Sequence, residues 1–207
     1  MILRSRLLVI VFSFFILISL AGGQDFNLLI KEYEAKYNKD PKDAGTVFNL
    51  LVLYGAIGNL EKLYGYYNIL NKIDPNYLKE NIRSNLKNNS EDIFNLYKIA
   101  FSYYFLGEID KAIYYFNKLL LLRPNDDWIM SYLAYLHYLK GDYNEVEALV
   151  NKGLEINRDN EALHALMCAL YLKKGNYLLA LKEYFITMNI VQKKGYKNIW
   201  EILRGLR

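Results

Sequence analysis

His137 and His164 are the two histidines of this 207-residue chain, and Cys168 is its single cysteine. These residue types could supply a general base, a metal ligand or a nucleophile, but each of those chemistries needs convergent partners. A metal pair would need acidic or cysteine neighbours at ligand spacing, and no such cluster surrounds either histidine in the sequence. The glycines are spread along the chain, so no glycine-rich loop is formed that could cradle a phosphate. The sequence therefore predicts a protein that is not an enzyme, with no catalytic residues, cofactor or metal.

The register of these residues accounts for them better than chemistry does. Gly107, Gly141 and Gly175 are 34 residues apart, and Gly58 lies one such period plus 15 residues before Gly107. Aligned on these glycines, the segments 44–77, 93–126, 127–160 and 161–194 each read as helix, turn glycine, helix. Leu50, Ile99, Leu133 and Met167 share one position of the first helix; Tyr54, Tyr103, His137 and Tyr171 share another. In the second helix, Leu63, Ala112, Val146 and Ala180 share a position, as do Tyr67, Phe116, Val150 and Tyr184. Each helix thus carries one apolar stripe that it cannot bury alone. His137 and His164 fall on core phases. Cys168 stands where the other segments carry Leu51, Ala100 and Ala134, which suits a small hydrophobe. A reactive thiol is the alternative for Cys168.

This pattern resembles the tetratricopeptide repeat family, a 34-residue helix–turn–helix unit. Segment 93–126 carries the resemblance best, through Leu96, Ile99, Ala100, Tyr103, Gly107, Ala112, Phe116 and Pro124. The resemblance implies an all-α, right-handed α-solenoid that binds protein rather than catalysing a reaction. Departures are local: Arg158 and Gln192 replace the closing proline, so those junctions are expected to bend less and the last helix to run on.

Three pieces lie outside the four units. Residues 25–43 read as a half repeat begun by Asp25 as helix cap and closed by Pro41. The insert 78–92 reads as a short extra helix, with Leu78, Ile82 and Leu86 at four-residue spacing, serving as a hinge or as a rigid piece. Residues 196–207 read as a capping helix, with Ile199, Leu203 and Leu206 at helical spacing and Trp200 beside them. Within the insert, Asn88-Asn89-Ser90 fits the N-glycosylation acceptor pattern, which an asparagine-rich chain also produces by chance.

Residues 1–23 read as an export signal. Arg4 and Arg6 precede an apolar run from Leu7 to Leu20, and Ala21, Gly22 and Gly23 offer small residues for cleavage before Gln24. The run is short of the roughly 20 apolar residues of a spanning helix. The expectation is an exported protein, periplasmic or extracellular in a bacterial envelope; the alternative is a membrane tether by the uncleaved segment. Charge points away from nucleic acid. The formal net charge is +4, from 26 Lys and Arg against 22 Asp and Glu, mixed along the helices without a basic face.

The resemblance further implies that first helices line a concave surface, with ligand-facing side chains 13, 10, 6, 3 and 2 residues before the turn glycine. Those positions are Phe94, Tyr97, Phe101, Tyr104 and Phe105 in one unit, and Trp128, Ser131, Tyr135, Tyr138 and Leu139 in the next. The flanking units carry small or aliphatic residues there, among them Gly45, Gly55 and Ala56 before and Ala162, Ala165 and Ala169 after. Four aromatic rings open to water would exceed the roughly 400 Å² that a monomer leaves as one apolar patch. The groove is therefore expected to take an apolar or amphipathic peptide or helix of a partner protein, which makes the chain an interaction scaffold or adaptor. The alternative is a self-assembling structural protein whose groove is filled by its own or another copy's helix. Lys173 is the lone basic residue at these positions, which disfavours an acidic chaperone tail; a sugar ligand stacked on the aromatic faces stays open.

Overall fold

The computed structural model describes residues 26–87 and 92–196. The signal segment, the Asp25 cap, Asn88-Asn89-Ser90 and the capping helix beyond Tyr196 lie outside the described residues.

Helix boundaries follow from local chemistry. The described residues form α1 (Phe26–Lys39), α2 (Ala44–Ala56), α3 (Leu60–Ile73), α4 (Tyr77–Lys87), α5 (Ile93–Phe105), α6 (Ile109–Leu122), α7 (Asp127–Lys140), α8 (Tyr143–Ile156), α9 (Glu161–Lys173) and α10 (Tyr177–Lys194). Side chains of Asp43, Asn59, Asp92, Asp126 and Asn160 accept hydrogen bonds from first-turn amides, which otherwise lack partners, and so start α2, α3, α5, α7 and α9. The four phase-setting glycines sit in the turns with φ of +73° to +81°, the left-handed region.

The fold is an all-α solenoid. Within each repeat the two helices pack as a pair, α2 with α3, α5 with α6, α7 with α8 and α9 with α10. Each first helix also packs on the helix before it: α2 on α1, α5 on α4, α7 on α6 and α9 on α8. The insert helix α4 thus occupies for α5 the place that a second helix occupies elsewhere. Its Leu78 and Ile82 are buried there. α10 has 18 residues where α3, α6 and α8 have 14, because Val191, Gln192, Lys193 and Lys194 continue it where the earlier units carry Asp74-Pro75, Arg123-Pro124 and Asn157-Arg158-Asp159-Asn160. α8 stops at Ile156 even without a proline.

The core runs the length of the array, from Phe26 and Ile30 through Phe48, Tyr97, Phe101 and Phe116 to Leu163 and Leu170. Its centre is Phe101. That ring meets Phe116 and Tyr132 edge-on, at 5.4 and 5.0 Å between centroids, and stacks against Tyr97 at 6.0 Å.

Candidate functional site, a cavity on the concave side

The concave side is coiled so tightly that units two apart touch. The Tyr132 hydroxyl on α7 donates to the Gly55 carbonyl on α2 at 2.9 Å. The Trp128 indole lies over Gly58, with Cε2 only 1.8 Å from where a side-chain Cβ would stand. Gly58→Ala therefore meets both a left-handed backbone and the indole. We expect it to cost on the order of 2–4 kcal/mol in urea unfolding. Gly107→Ala, at the same φ but with nothing within 4 Å of its Cβ, is expected to cost on the order of 1–2 kcal/mol.

This coiling redistributes the residues that the sequence places on an open groove. Tyr97 and Phe101 have no exposure to solvent and Phe94 is buried. Tyr97 is covered by Phe26 of α1, edge-on at 5.8 Å, and its hydroxyl lies 3.4 Å from Asp126 Oδ2. Phe101 is covered by Gly55 and Tyr132. Phe105 stacks on Tyr67 of α3 at 4.1 Å. Leu139 is exposed, away from the cavity lining. Of the expected groove, Tyr104, Trp128, Tyr135 and Tyr138 remain around open space, together with Ser131.

That space is a cavity of about 270 Å³. α7 supplies one wall, with Trp128, Tyr132, Tyr135 and Tyr138. α9 supplies the facing wall, with Ala162, Ala165 and Ala169 at one-turn spacings that leave room opposite the rings. Leu60 and Tyr64 of α3, Tyr104 of α5, and Thr187 and Val191 of α10 close the sides. The cavity therefore draws on all four repeats. The Tyr64 and Tyr104 hydroxyls are hydrogen-bonded to each other at 2.6 Å. Burial pushes the Tyr64 pKa up to about 12 and raises that of Tyr104 well above the ordinary phenol value.

The rim carries one carboxylate, Glu161, in the first turn of α9. Both of its oxygens are engaged: Lys194 Nζ donates to Oε2 at 2.5 Å and the Tyr196 hydroxyl to Oε1 at 2.8 Å. Lys194 also lies 5.6 Å from the centre of the Trp128 ring. These contacts draw the end of α10 across the rim, and burial, with the Glu161 charge beside it, raises the Tyr196 pKa. Sequence reasoning missed Tyr64, Tyr132, Glu161 and Tyr196, because it looked for ligands on one face of the first helices alone.

The residues with catalytic chemistry sit elsewhere. His164 is buried, with Nδ1 2.6 Å from Glu183 Oε2 and Nε2 2.9 Å from the Arg158 carbonyl, so it ties α9 to α10. His137 lies 3.2 Å from Asp142 across the α7–α8 turn. Cys168 is half-buried, and burial raises its thiol pKa, away from the reactive thiolate. Among the described residues no group of three His, Cys, Asp or Glu could hold a metal ion.

Residues 106–180 match the tetratricopeptide repeat model. The match spans the turn and second helix of one repeat, the whole of the next, and the first helix and turn of the last. Solved structures of similar course include the crystal structure of YrrB, described as a TPR protein with an unusual peptide-binding site. It is 15% identical, with a TM-score of 0.49 over 84% of this chain and 96% of that one. The crystal structure of MamA is 16% identical, with a TM-score of 0.47 over 83% and 91%. MamA 41-end from Desulfovibrio magneticus RS-1 is 8% identical, with a TM-score of 0.47 over 83% and 88%.

Proposed function

We propose that this tetratricopeptide-like chain is a non-catalytic interaction scaffold, holding a partner protein or peptide by apolar side chains inserted between α7 and α9. The observation that carries this reading is the cavity itself, an aromatic wall facing an alanine wall. An α-helix is ~10–12 Å across with its side chains, too wide for this space. A cavity of about 150 Å³ holds a benzene ring, so 270 Å³ suits one or two anchoring side chains. The partner segment, extended or helical, lies outside and sends its anchors in. The sequence of residues 1–23 supports a place of action outside the cytoplasmic membrane.

A second reading is a self-assembling protein whose cavity receives a segment of this chain or of another copy. Tyr196 favours it, because it already reaches the cavity from the end of α10.

Peptides selected by display against the chain test the first reading. Ala165→Trp fills the cavity from the small wall, and Tyr135→Ala removes part of the aromatic wall. Each variant is expected to weaken the selected peptides by about tenfold or more while the helical signal persists. Peptides that bind both variants as tightly as the parent chain would place the binding surface elsewhere. A chain that yields no cavity-dependent peptide would favour the second reading.

A further inference from the structure

The outer face of α10 carries a cluster of exposed large apolar side chains. Tyr177, Leu178, Leu181 and Phe185 are 72, 85, 51 and 62% exposed, and they lie within one sector of the helix. Tyr184 is 45% exposed, although Phe116 and Val150 at the same register are wholly buried by the following repeat. A following repeat alone does not explain the face. The register of Leu178 holds Glu61, Asp110 and Asn144 in the earlier units, and that of Phe185 holds Asn68, Asn117 and Asn151. Asp110, Asn144 and all three asparagines in register with Phe185 are exposed. Two positions that are polar in the earlier units are large and apolar in α10.

We propose that this face is the interface through which two copies of the chain pair, α10 against α10, about a two-fold axis. The area fits. Tyr177, Tyr184 and Phe185 leave on the order of 350 Å² of ring surface, and Leu178 and Leu181 raise the face to roughly 600 Å². That exceeds the roughly 400 Å² patch of a stable monomer and, with its rim, approaches the roughly 800 Å² each partner contributes to a standard interface. The symmetry follows from α1, the first of the described helices. Apart from Leu28, α1 turns Lys31, Glu32, Lys36 and Lys39 outward, with Lys36 paired to Glu32 at 2.7 Å. Such a surface cannot receive an apolar face, so head-to-tail stacking into a filament is disfavoured. The matching apolar face is α10 of another copy, and the resulting dimer is closed. Tyr177, Leu178, Leu181 and Phe185 are not among the residues that line the cavity.

Cysteine crosslinking of the full-length chain tests the pairing. The background is Cys168→Ala, since alanine stands at that register in two other repeats. Oxidation of Leu178→Cys, Leu181→Cys or Phe185→Cys is expected to give a disulfide dimer on a non-reducing gel. Its yield should be several-fold above that of Leu121→Cys, an 82% exposed position on α6 that reports random collision. Adding Leu178→Glu and Phe185→Glu should abolish the Leu181→Cys dimer with the helical circular dichroism unchanged. Yields no greater than at Leu121→Cys overturn the proposal. So does a dimer that forms only after residues 197–207 are deleted, which would make that segment the natural cover, or a crosslink formed only to a different protein.

Discussion

Phe101→Ala is expected to lower the stability of the chain by about 3–5 kcal/mol, the range for truncating an enclosed aromatic residue. The ring is fully buried and touches Tyr97, Phe105, Phe116 and Tyr132, so no single neighbour can collapse into the space. The same site offers a sharper result. A Cβ on Gly55 would stand 2.4 Å from Phe101 Cζ and 2.7 Å from Cε2. Gly55 lies in the last turn of α2, where alanine is favoured over glycine by at most about 1 kcal/mol. In the parent chain, Gly55→Ala should nevertheless destabilise, because overpacking a filled core costs about 1–3 kcal/mol. With Phe101→Ala already present, the main clash is gone, Leu63 Cδ1 at 3.1 Å need give by only a few tenths of an ångström, and Gly55→Ala should stabilise. Urea unfolding of the four chains of this double-mutant cycle checks the change of sign. Additive effects would show that Phe101 does not rest on Gly55.

Alkali is expected to unfold the chain, and the buried tyrosines are the cause. Burial holds Tyr64 up to about 12 and sets Tyr97, Tyr104 and Tyr132 well above the ordinary phenol value of about 10. In the unfolded chain these groups ionise near pH 10, whereas in the folded chain they keep their protons. Their contribution is therefore complete below about pH 10 and is lost as the pH rises through the folded values. Tyr64 alone gives up roughly 2–3 kcal/mol by about pH 12. Tyrosinate absorbance from the buried groups and loss of helical circular dichroism should appear together in one titration. Tyr64→Phe with Tyr104→Phe should make the alkaline loss shallower, although it removes their 2.6 Å hydrogen bond. Buried tyrosines that ionise at about pH 10 while the helices stay intact would contradict this account.

The glycine spacing made the helix pairs legible, because a turn glycine and two apolar stripes fix where each helix begins and which face it buries. Leu78 and Ile82 likewise revealed α4. The concave surface was harder. Register places Tyr97 and Phe101 on that surface, but whether the surface is open depends on how tightly successive units coil, which no single repeat encodes. The information lay in the residues that looked plain: Gly55 leaves the recess that Phe101 fills, and Gly58 the one that Trp128 covers. Small residues in one unit and large aromatics two units later are a complementary pair, visible only when distant repeats are compared. Glu161 gave no such signal, since its role depends on α10 running on to bring Lys194 and Tyr196 over it.

The bond from Tyr132 to the Gly55 carbonyl spans 77 residues and skips an entire repeat. Repeat arrays whose units touch only their neighbours can fray from either end, one unit at a time. Here the first repeat cannot peel away without uncovering Trp128 and Phe101 in the two that follow. The array should therefore yield to force in a single step, and removing its first unit should disable the remainder rather than shorten it.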